Sequence, residues 1–267
     1  MNIDEIFNKL WEIYTQNNPT SKKVYDLFTN AGEKVLNDHI AFRTFNLPKI
    51  NIDSIANVFI KNGYEYKQDY HFKDKKLNAK HYEHSVNSLM PKIFISELII
   101  EEFSDEFQQI IKDIYSQINF EKLDKDEIIY AGRLWGKPSY KIYERLRQES
   151  EYAAWLYYNG FVANHFTINV NELKIYDSLE KVNDFLKEND FQLNDSGGEI
   201  KGSKEELLEQ SSIKADIIDG EFLEGIFKIT GCYYEFARRY PDNNGKLYTG
   251  FIAKSADKIF ESTDLTK

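Results

Sequence analysis

The sequence is short of cysteine, of proline and of positive charge, and each shortage removes a class of protein. A single cysteine, Cys232, excludes an internal disulfide and fits a reducing compartment. Five prolines beside 19 Phe, 18 Tyr and 3 Trp describe a packed interior and not a disordered tail. Lys and Arg number 34 against 44 Asp and Glu, and the net charge of −10 disfavours a phosphate-backbone partner. No long basic run or basic amphipathic face is present, so neither nucleic acid nor a membrane surface is an expected partner. No apolar run approaches the ~20 residues needed to cross a bilayer. Met1-Asn2-Ile3-Asp4-Glu5 has no cationic region followed by an apolar core, so no secretory signal is read there. The expectation is a soluble cytoplasmic protein, long enough for one large domain or two modest ones.

What is present centres on Asn37-Asp38-His39-Ile40-Ala41-Phe42-Arg43-Thr44-Phe45. As a β-strand it places His39, Ala41, Arg43 and Phe45 on one face and Ile40, Phe42 and Thr44 on the other. Both faces are bulky and apolar, which suits a strand covered on both sides. An imidazole and a guanidinium on one buried face each need a partner. Their backbone positions lie roughly 13 Å apart, a spacing that suits a metal at one end of a small dicarboxylate and an arginine at the other. The plainer alternative is a core histidine and a structural Arg–carboxylate pair.

Apolar spacing predicts helices over 3–16 and 21–30, with Pro19 between them and Gly32 as a stop. After the His39 strand, a helix from Asp53 to Asn62 is expected, with Asp53 as its N-cap. Strands are expected near Tyr64–Phe72, Leu77–His84 and Lys92–Ile100. Ser104 caps an expected helix over 105–118, Asp124-x-x-Glu127 reads as a capping box before a short helix, and Pro138-Ser139 opens a helical stretch reaching Gly160.

The opening pattern then returns. Asn164-His165-Phe166-Thr167-Ile168-Asn169-Val170 is a second short strand with a histidine near its start. Asp177-Ser178-Leu179 through Phe191 echoes Asp53-Ser54-Ile55 through Tyr64. Two copies imply a duplicated module and not a solenoid. The second copy continues through Gly197-Gly198 and Gly202-Ser203, a helical Lys204–Gln210, strands near 213–218 and 222–229, and a final strand from Gly231 to Tyr240. The expected class is α+β, one catalytic unit over 1–267: N-terminal helices 1–34, a βαβββ-like module 35–103, a helical insert 104–160 and a second βαβββ-like module 161–255.

Packing the two copies face to face would bring His39 and His165 together. In the last strand, Glu235 shares a face with Tyr233, Ala237 and Arg239 and is the candidate third ligand. Two histidines and one carboxylate leave part of a metal's coordination sphere open, as in non-haem Fe(II) oxygenases. Glu97, in the corresponding strand of the first copy, is the rival, with a supporting or structural role the plainer reading. His81 and His84 are three apart and fall on opposite strand faces, His71 sits among solvated charges, and Cys232 reads as a small buried hydrophobe. The Gly197–Ser203 loop lacks a phosphate-loop ending and defaults to a turn, although Lys201 could offer charge to an anion. The Tyr-rich stretch of 140–158 reads as packing.

Several landmarks together resemble one family. They are Asn37–Arg43, His81-Tyr82-Glu83, Pro91–Leu98, Asn164-His165-Phe166-Thr167, Gly198–Ser203 and Tyr234-Glu235-Phe236-Ala237-Arg238-Arg239. Over about residues 35–245 the chain resembles the 2-oxoadipate dioxygenase/decarboxylases, which have a vicinal-oxygen-chelate fold. The resemblance implies an Fe(II) site of His39, His165 and Glu235, with Arg43 holding a substrate carboxylate; Lys201 and Ser203, from the glycine-rich loop, are further candidate substrate contacts. It also implies conversion of 2-oxoadipate and O2 into 2-hydroxyglutarate and CO2, a step of lysine breakdown. Members of the family are longer at the C-terminal end, which leaves the choice of 2-oxo acid open. Two alternatives stay open from the residues themselves: redox-free isomerisation or hydrolysis at Zn or Ni, and sequestration of a small anion without turnover. No heptad or apolar edge indicates an oligomeric state.

Overall fold

Two amphipathic helices, α1 (Ile3–Asn17) and α2 (Pro19–Asn30), open the chain in the computed structural model, which describes residues 2–252. Positions 253–255 of the expected second module lie outside the described residues. A reciprocal capping box starts α1: Glu5 N–H donates to Asn2 Oδ1 and Asn2 N–H to Glu5 Oε2. Pro19 occupies the first turn of α2, where its missing N–H costs nothing.

The first module runs β1 (Asn37–Phe45), α3 (Ile52–Lys61), β2 (Tyr64–Phe72), β3 (Leu77–His84), β4 (Lys92–Leu98). A helical insert follows: α4 (Asp105–Ser116), α5 (Tyr140–Arg147) and α6 (Glu151–Asn159). The second module is β5 (Ala163–Asn169), α7 (Leu179–Glu188), β6 (Lys201–Ser203), β7 (Leu208–Ser212) and, after a separate hairpin of β8 (Ile217–Phe222) and β9 (Gly225–Thr230), β10 (Glu235–Arg239). The class is α+β, two βαβββ modules of vicinal-oxygen-chelate type with added helices.

The modules join edge to edge, not face to face. Antiparallel pairing of β1 with β5 fuses them into one eight-stranded sheet ordered β2-β3-β4-β1-β5-β10-β7-β6. In each half the first strand lies parallel to the last, β1 to β4 and β5 to β10. The pairs His39↔Thr167 and Ala41↔His165 exchange when the halves are exchanged, so an approximate two-fold axis passes between the central strands.

The sheet curls, and its two faces have different covers. Phe42, Phe166, Tyr234 and Phe236 point outward under the helices: Phe59 of α3 meets Phe42, Trp11 and Tyr14 of α1 meet Phe166, and Phe28 of α2 meets Phe236. The inner face carries His39, Arg43, His165, Glu235 and Arg239, all buried. Helix α6 closes one end of this cup. Its C-terminal Gly160, at φ +71°, lies where a Cβ would come within 2.2 Å of the Gly132 backbone, so only glycine lets the two segments cross.

Several local expectations needed correction. Asn51, not Asp53, caps α3. The stretch after Asp124-x-x-Glu127 is a single 3-10 turn over Ile128–Tyr130, and Asp124 bonds Asp126 N–H instead of forming a capping box. The helix expected over 139–159 breaks into α5 and α6 because Ser150 leaves helical geometry to cap α6. Residues 204–210 form a turn and the start of β7, with Leu207 at φ +65°. Pairing with β6 and β10 overrides the helical propensity of Glu205-Glu206-Leu207-Leu208.

Candidate metal centre

Register brings the three expected ligands to one point. His39 and His165 project from the two central strands, and Glu235 sits beside Thr167 at the head of β10. His165 Nε2 lies 3.4 Å from His39 Nε2 and 3.0 Å from Glu235 Oε2, and His39 Nε2 is 3.8 Å from Glu235 Oε1. Among the described residues this is the one group of three or more His, Cys, Asp or Glu side chains whose ligand atoms can share an ion.

Neighbouring side chains set the ring orientation. Asp38 Oδ2, a pure acceptor, takes the Nδ1–H of His39 at 2.8 Å, and Asn164 Oδ1 takes that of His165 at 3.1 Å. Each ring therefore turns an Nε2 lone pair to the common point. Burial lowers the His165 pKa, with His39 and Arg43 adding to the effect against Glu235, so the ring stays in its metal-binding neutral form. Burial alone would raise the Glu235 carboxyl, but His165, His39 and the Gln210 amide that donates to Oε1 hold it lower, as a carboxylate. Glu235 Oε2 has no hydrogen-bond partner among the described residues. The Thr167 hydroxyl, 3.0 Å away, can donate to His39 Nε2, while the His165 Nε2 lone pair and Glu235 Oε2 face each other at 3.0 Å, two electron-rich atoms that a shared cation would relieve. The donor set fits a divalent metal with an open side.

Asp38 does more than orient His39. Its carboxylate takes two hydrogen bonds from Arg239, Nε at 2.7 Å and Nη2 at 2.8 Å, and lies 3.7 Å from Lys92 Nζ. Against the cost of burial, Arg239 and Lys92 hold the Asp38 carboxyl well below the usual carboxylate range. Arg239 Nη1 also donates to the carbonyls of Tyr248 and Gly250. This strap places Phe251 edge-on to His39, with ring centroids 4.9 Å apart. Sequence reading did not assign Asp38 or Arg239 a role; the charged residue directly before His39 was the available signal.

Arg43 is buried between the rings of Tyr152 and Trp155, each 4.9 Å from its guanidinium carbon. Its Nε and Nη1 have no hydrogen-bond partner among the described residues. A buried guanidinium with two orphaned donors has the chemistry of a vacant carboxylate receptor. Arg43 also lines a cavity of about 270 Å³ together with Leu77, Phe103, Arg147 and Tyr152.

The other candidates lie elsewhere or are already engaged. Lys201 is buried on the cup face and its Nζ donates to the Asn194 carbonyl. Ser203 is on the edge strand, where its Oγ accepts the Glu206 N–H. Glu97 faces away from the cup and accepts the Ile52 N–H at the start of α3, so it does not rival Glu235. His81 is buried between Tyr70 and Glu83, while His84 packs on Tyr64. Burial pushes the Cys232 thiol up to about 12, which makes it unreactive.

The sequence model of the 2-oxoadipate dioxygenase/decarboxylases matches residues 6–246. The chain belongs to that family. It is accordingly a dioxygenase/decarboxylase by family. It is 35% identical to the chloroplastic 2-oxoadipate dioxygenase/decarboxylase of Arabidopsis thaliana, over 97% of this chain and 76% of that protein. Among solved structures, the rice hydroxyglutarate synthase in complex with 2-oxoadipate superposes with a TM-score of 0.91 at 33% identity, covering 98% of this chain and 92% of that one. A Shewanella frigidimarina protein, provisionally described as a hydrolase, superposes at 0.89 with 46% identity, over 94% and 98% of the two chains. A glyoxalase-superfamily protein of Ralstonia eutropha, 21% identical at a TM-score of 0.77, shares the fold of this dioxygenase/decarboxylase family member.

Proposed function

We propose that the protein is an Fe(II)-dependent decarboxylating dioxygenase of 2-oxo dicarboxylic acids, with 2-oxoadipate its substrate and 2-hydroxyglutarate and CO2 its products. The observation that carries this reading is the juxtaposition of an open His39–His165–Glu235 donor set with the unpartnered Arg43 on one buried face. The rice relative's complex with 2-oxoadipate supports the choice of substrate.

In this reading His39, His165 and Glu235 hold the metal, which when bound supplies oxygen activation and a Lewis-acid anchor for a 2-oxo acid. Arg43 holds the distal carboxylate through its guanidinium and so selects chain length. Asp38 and Asn164 keep both imidazoles presenting Nε2. Phe251, Tyr233 and Trp155 exclude water, which protects a reactive site from side reactions. The C1–C2 bond of the 2-oxo acid breaks and C1 leaves as CO2. One atom of O2 enters the new carboxylate and the other becomes the hydroxyl on the adjacent carbon, so O2 is the sole oxidant. Lys201 and Ser203 are given no part, since the hydrogen bonds just described engage both. Such a step belongs to lysine breakdown. A cytoplasmic setting is consistent with the buried thiol, and no described helix is long and apolar enough to cross a membrane.

The test is oxygen consumption by Fe(II)-loaded, anaerobically purified protein against a series of 2-oxo dicarboxylates. Uptake with 2-oxoadipate matched by equal CO2 release is expected. Turnover without O2, or metal-loaded protein inert toward the whole series, would overturn the proposal in favour of redox-free catalysis or anion binding.

A further inference from the structure

Tyr233 is fully buried two residues before β10, and its hydroxyl has no hydrogen-bond partner among the described residues. A buried phenol normally finds one, because the unpaired hydroxyl forfeits its water without compensation. The residue is firmly placed. Its carbonyl accepts a 2.5 Å hydrogen bond from the Tyr14 hydroxyl, and its ring lies against His165, with centroids 4.8 Å apart and planes 30° apart. Neighbouring Tyr234 points the other way, into the helices, where Trp11 meets it. Tyr233 therefore belongs to the cup, two residues ahead of Glu235.

Packing places the same segment beside Arg43: Trp155, whose ring lies 4.9 Å from the Arg43 guanidinium carbon, donates its Nε1–H to the carbonyl of Gly231, two residues before Tyr233. Among the buried donors without acceptors are Arg43 Nε, Arg43 Nη1 and the Tyr233 hydroxyl. Donors without acceptors define a site for an anion.

We propose that the Tyr233 hydroxyl completes the carboxylate receptor begun by Arg43, donating a hydrogen bond to the distal carboxylate of the bound 2-oxo dicarboxylic acid. The inference rests on the proposed function for the identity of the ligand. Tyr233 is then a specificity-determining residue: it separates a 2-oxo diacid from the monoacid of equal length, whose terminal methyl leaves all three donors unpaired.

The experiment is anaerobic calorimetry of Fe(II)-loaded protein, wild type and Tyr233→Phe, with 2-oxoadipate and with 2-oxohexanoate. Metal content is measured alongside, to confirm that His165 still ligates beside the altered ring. Loss of a hydrogen bond to a charged acceptor should weaken 2-oxoadipate binding by about 10- to 100-fold. Binding of 2-oxohexanoate and the metal stoichiometry should stay unchanged. Equal affinity of the two proteins for 2-oxoadipate, or an equal loss for both ligands, would overturn the assignment. If wild-type protein binds 2-oxoadipate without consuming oxygen, the proposed reaction fails while the comparison still decides the role of Tyr233.

Discussion

The two halves of the sheet have the same topology and differ where chemistry is expected. Register equates His39 with His165 and Ala41 with Thr167. Ala41 pairs with Phe94 in one half and Thr167 with Glu235 in the other, so Phe94 occupies the first-half equivalent of the Glu235 position. By the same step Asp38 matches Asn164, Arg43 matches Asn169, and Leu98 matches Arg239. Duplication supplies two imidazoles by symmetry, but the carboxylate comes from one half alone. On the other side Phe94 packs against Phe251, with ring centroids 4.8 Å apart. The asymmetry leaves one side of the donor set walled by aromatic rings instead of a fourth ligand, and Arg43 occurs only on that side.

The sharpest way to break the comparison is to exchange its defining pair. Glu235→Ala should abolish metal binding and turnover, read by metal stoichiometry and oxygen uptake. Phe94→Glu makes the halves alike and should retain metal but lose oxygen uptake, because a second carboxylate fills the open side. Substantial uptake by F94E would show that the asymmetry is not functional.

A smaller effect is expected from the residues behind the imidazoles. Asp38→Asn gives His39 the same kind of acceptor that His165 has in Asn164. It also leaves Arg239 and Lys92 buried without their anion, so stability should fall by about 3 kcal/mol. Metal affinity should fall about 10- to 100-fold. Adding Arg239→Leu, the residue at the matching position of the first half, should recover part of the stability lost in D38N. Denaturant titration of the single and double variants measures this, and a double variant weaker than D38N would show that the strap contacts of Arg239 outweigh the cost of burying its guanidinium without an anion.

The smallest difference lies in two structural carboxylates. Glu33 accepts N–H groups from Lys174, Ile175 and Tyr176, and these outweigh burial to lower its pKa. Glu97 accepts the Ile52 N–H, and burial prevails to raise its pKa. Glu33 therefore contributes stability above its unfolded pKa of about 4.3, lost as pH falls through its lower folded value. Glu97 has the opposite sign: its contribution is present at low pH and lost as pH rises from about 4.3 through its higher folded value. Melting temperatures at pH 7 should fall for Glu33→Gln and hold or rise slightly for Glu97→Gln.

Much of this was legible in the sequence where the signals are local. The apolar spacing of Ile6, Leu10 and Tyr14 marked α1, and serines 104 and 139 marked helix starts that the structure retains. The repeated histidine strand followed by a capped helix disclosed the duplication, and with it the candidate ligands His39 and His165. Glu235 needed the further step of matching last strands. Its contest with Glu97 could not be decided without register, because a shift of one residue moves a side chain to the other face. Edge-to-edge assembly was hidden for a related reason: β1 and β5 pair across 126 residues, and no local pattern specifies which edges meet. Leu208–Ser212 was missed because it contains no β-branched or aromatic residue. Asp38–Arg239 and Tyr233 depend on which side chains lack or find partners in three dimensions.

The pairing of β1 with β5 and of β5 with β10 also bears on how the protein is made. A growing chain presents His39 early, yet its two companions arrive only with residues 165 and 235. Contacts so distant in sequence close late and slowly, after local helices and hairpins have formed. A partly synthesised chain, or a fragment holding one module, carries one imidazole and no complete claw. A metal ion held by this group would thereby be captured only after the central strands assemble, and not by an unfinished chain open to water.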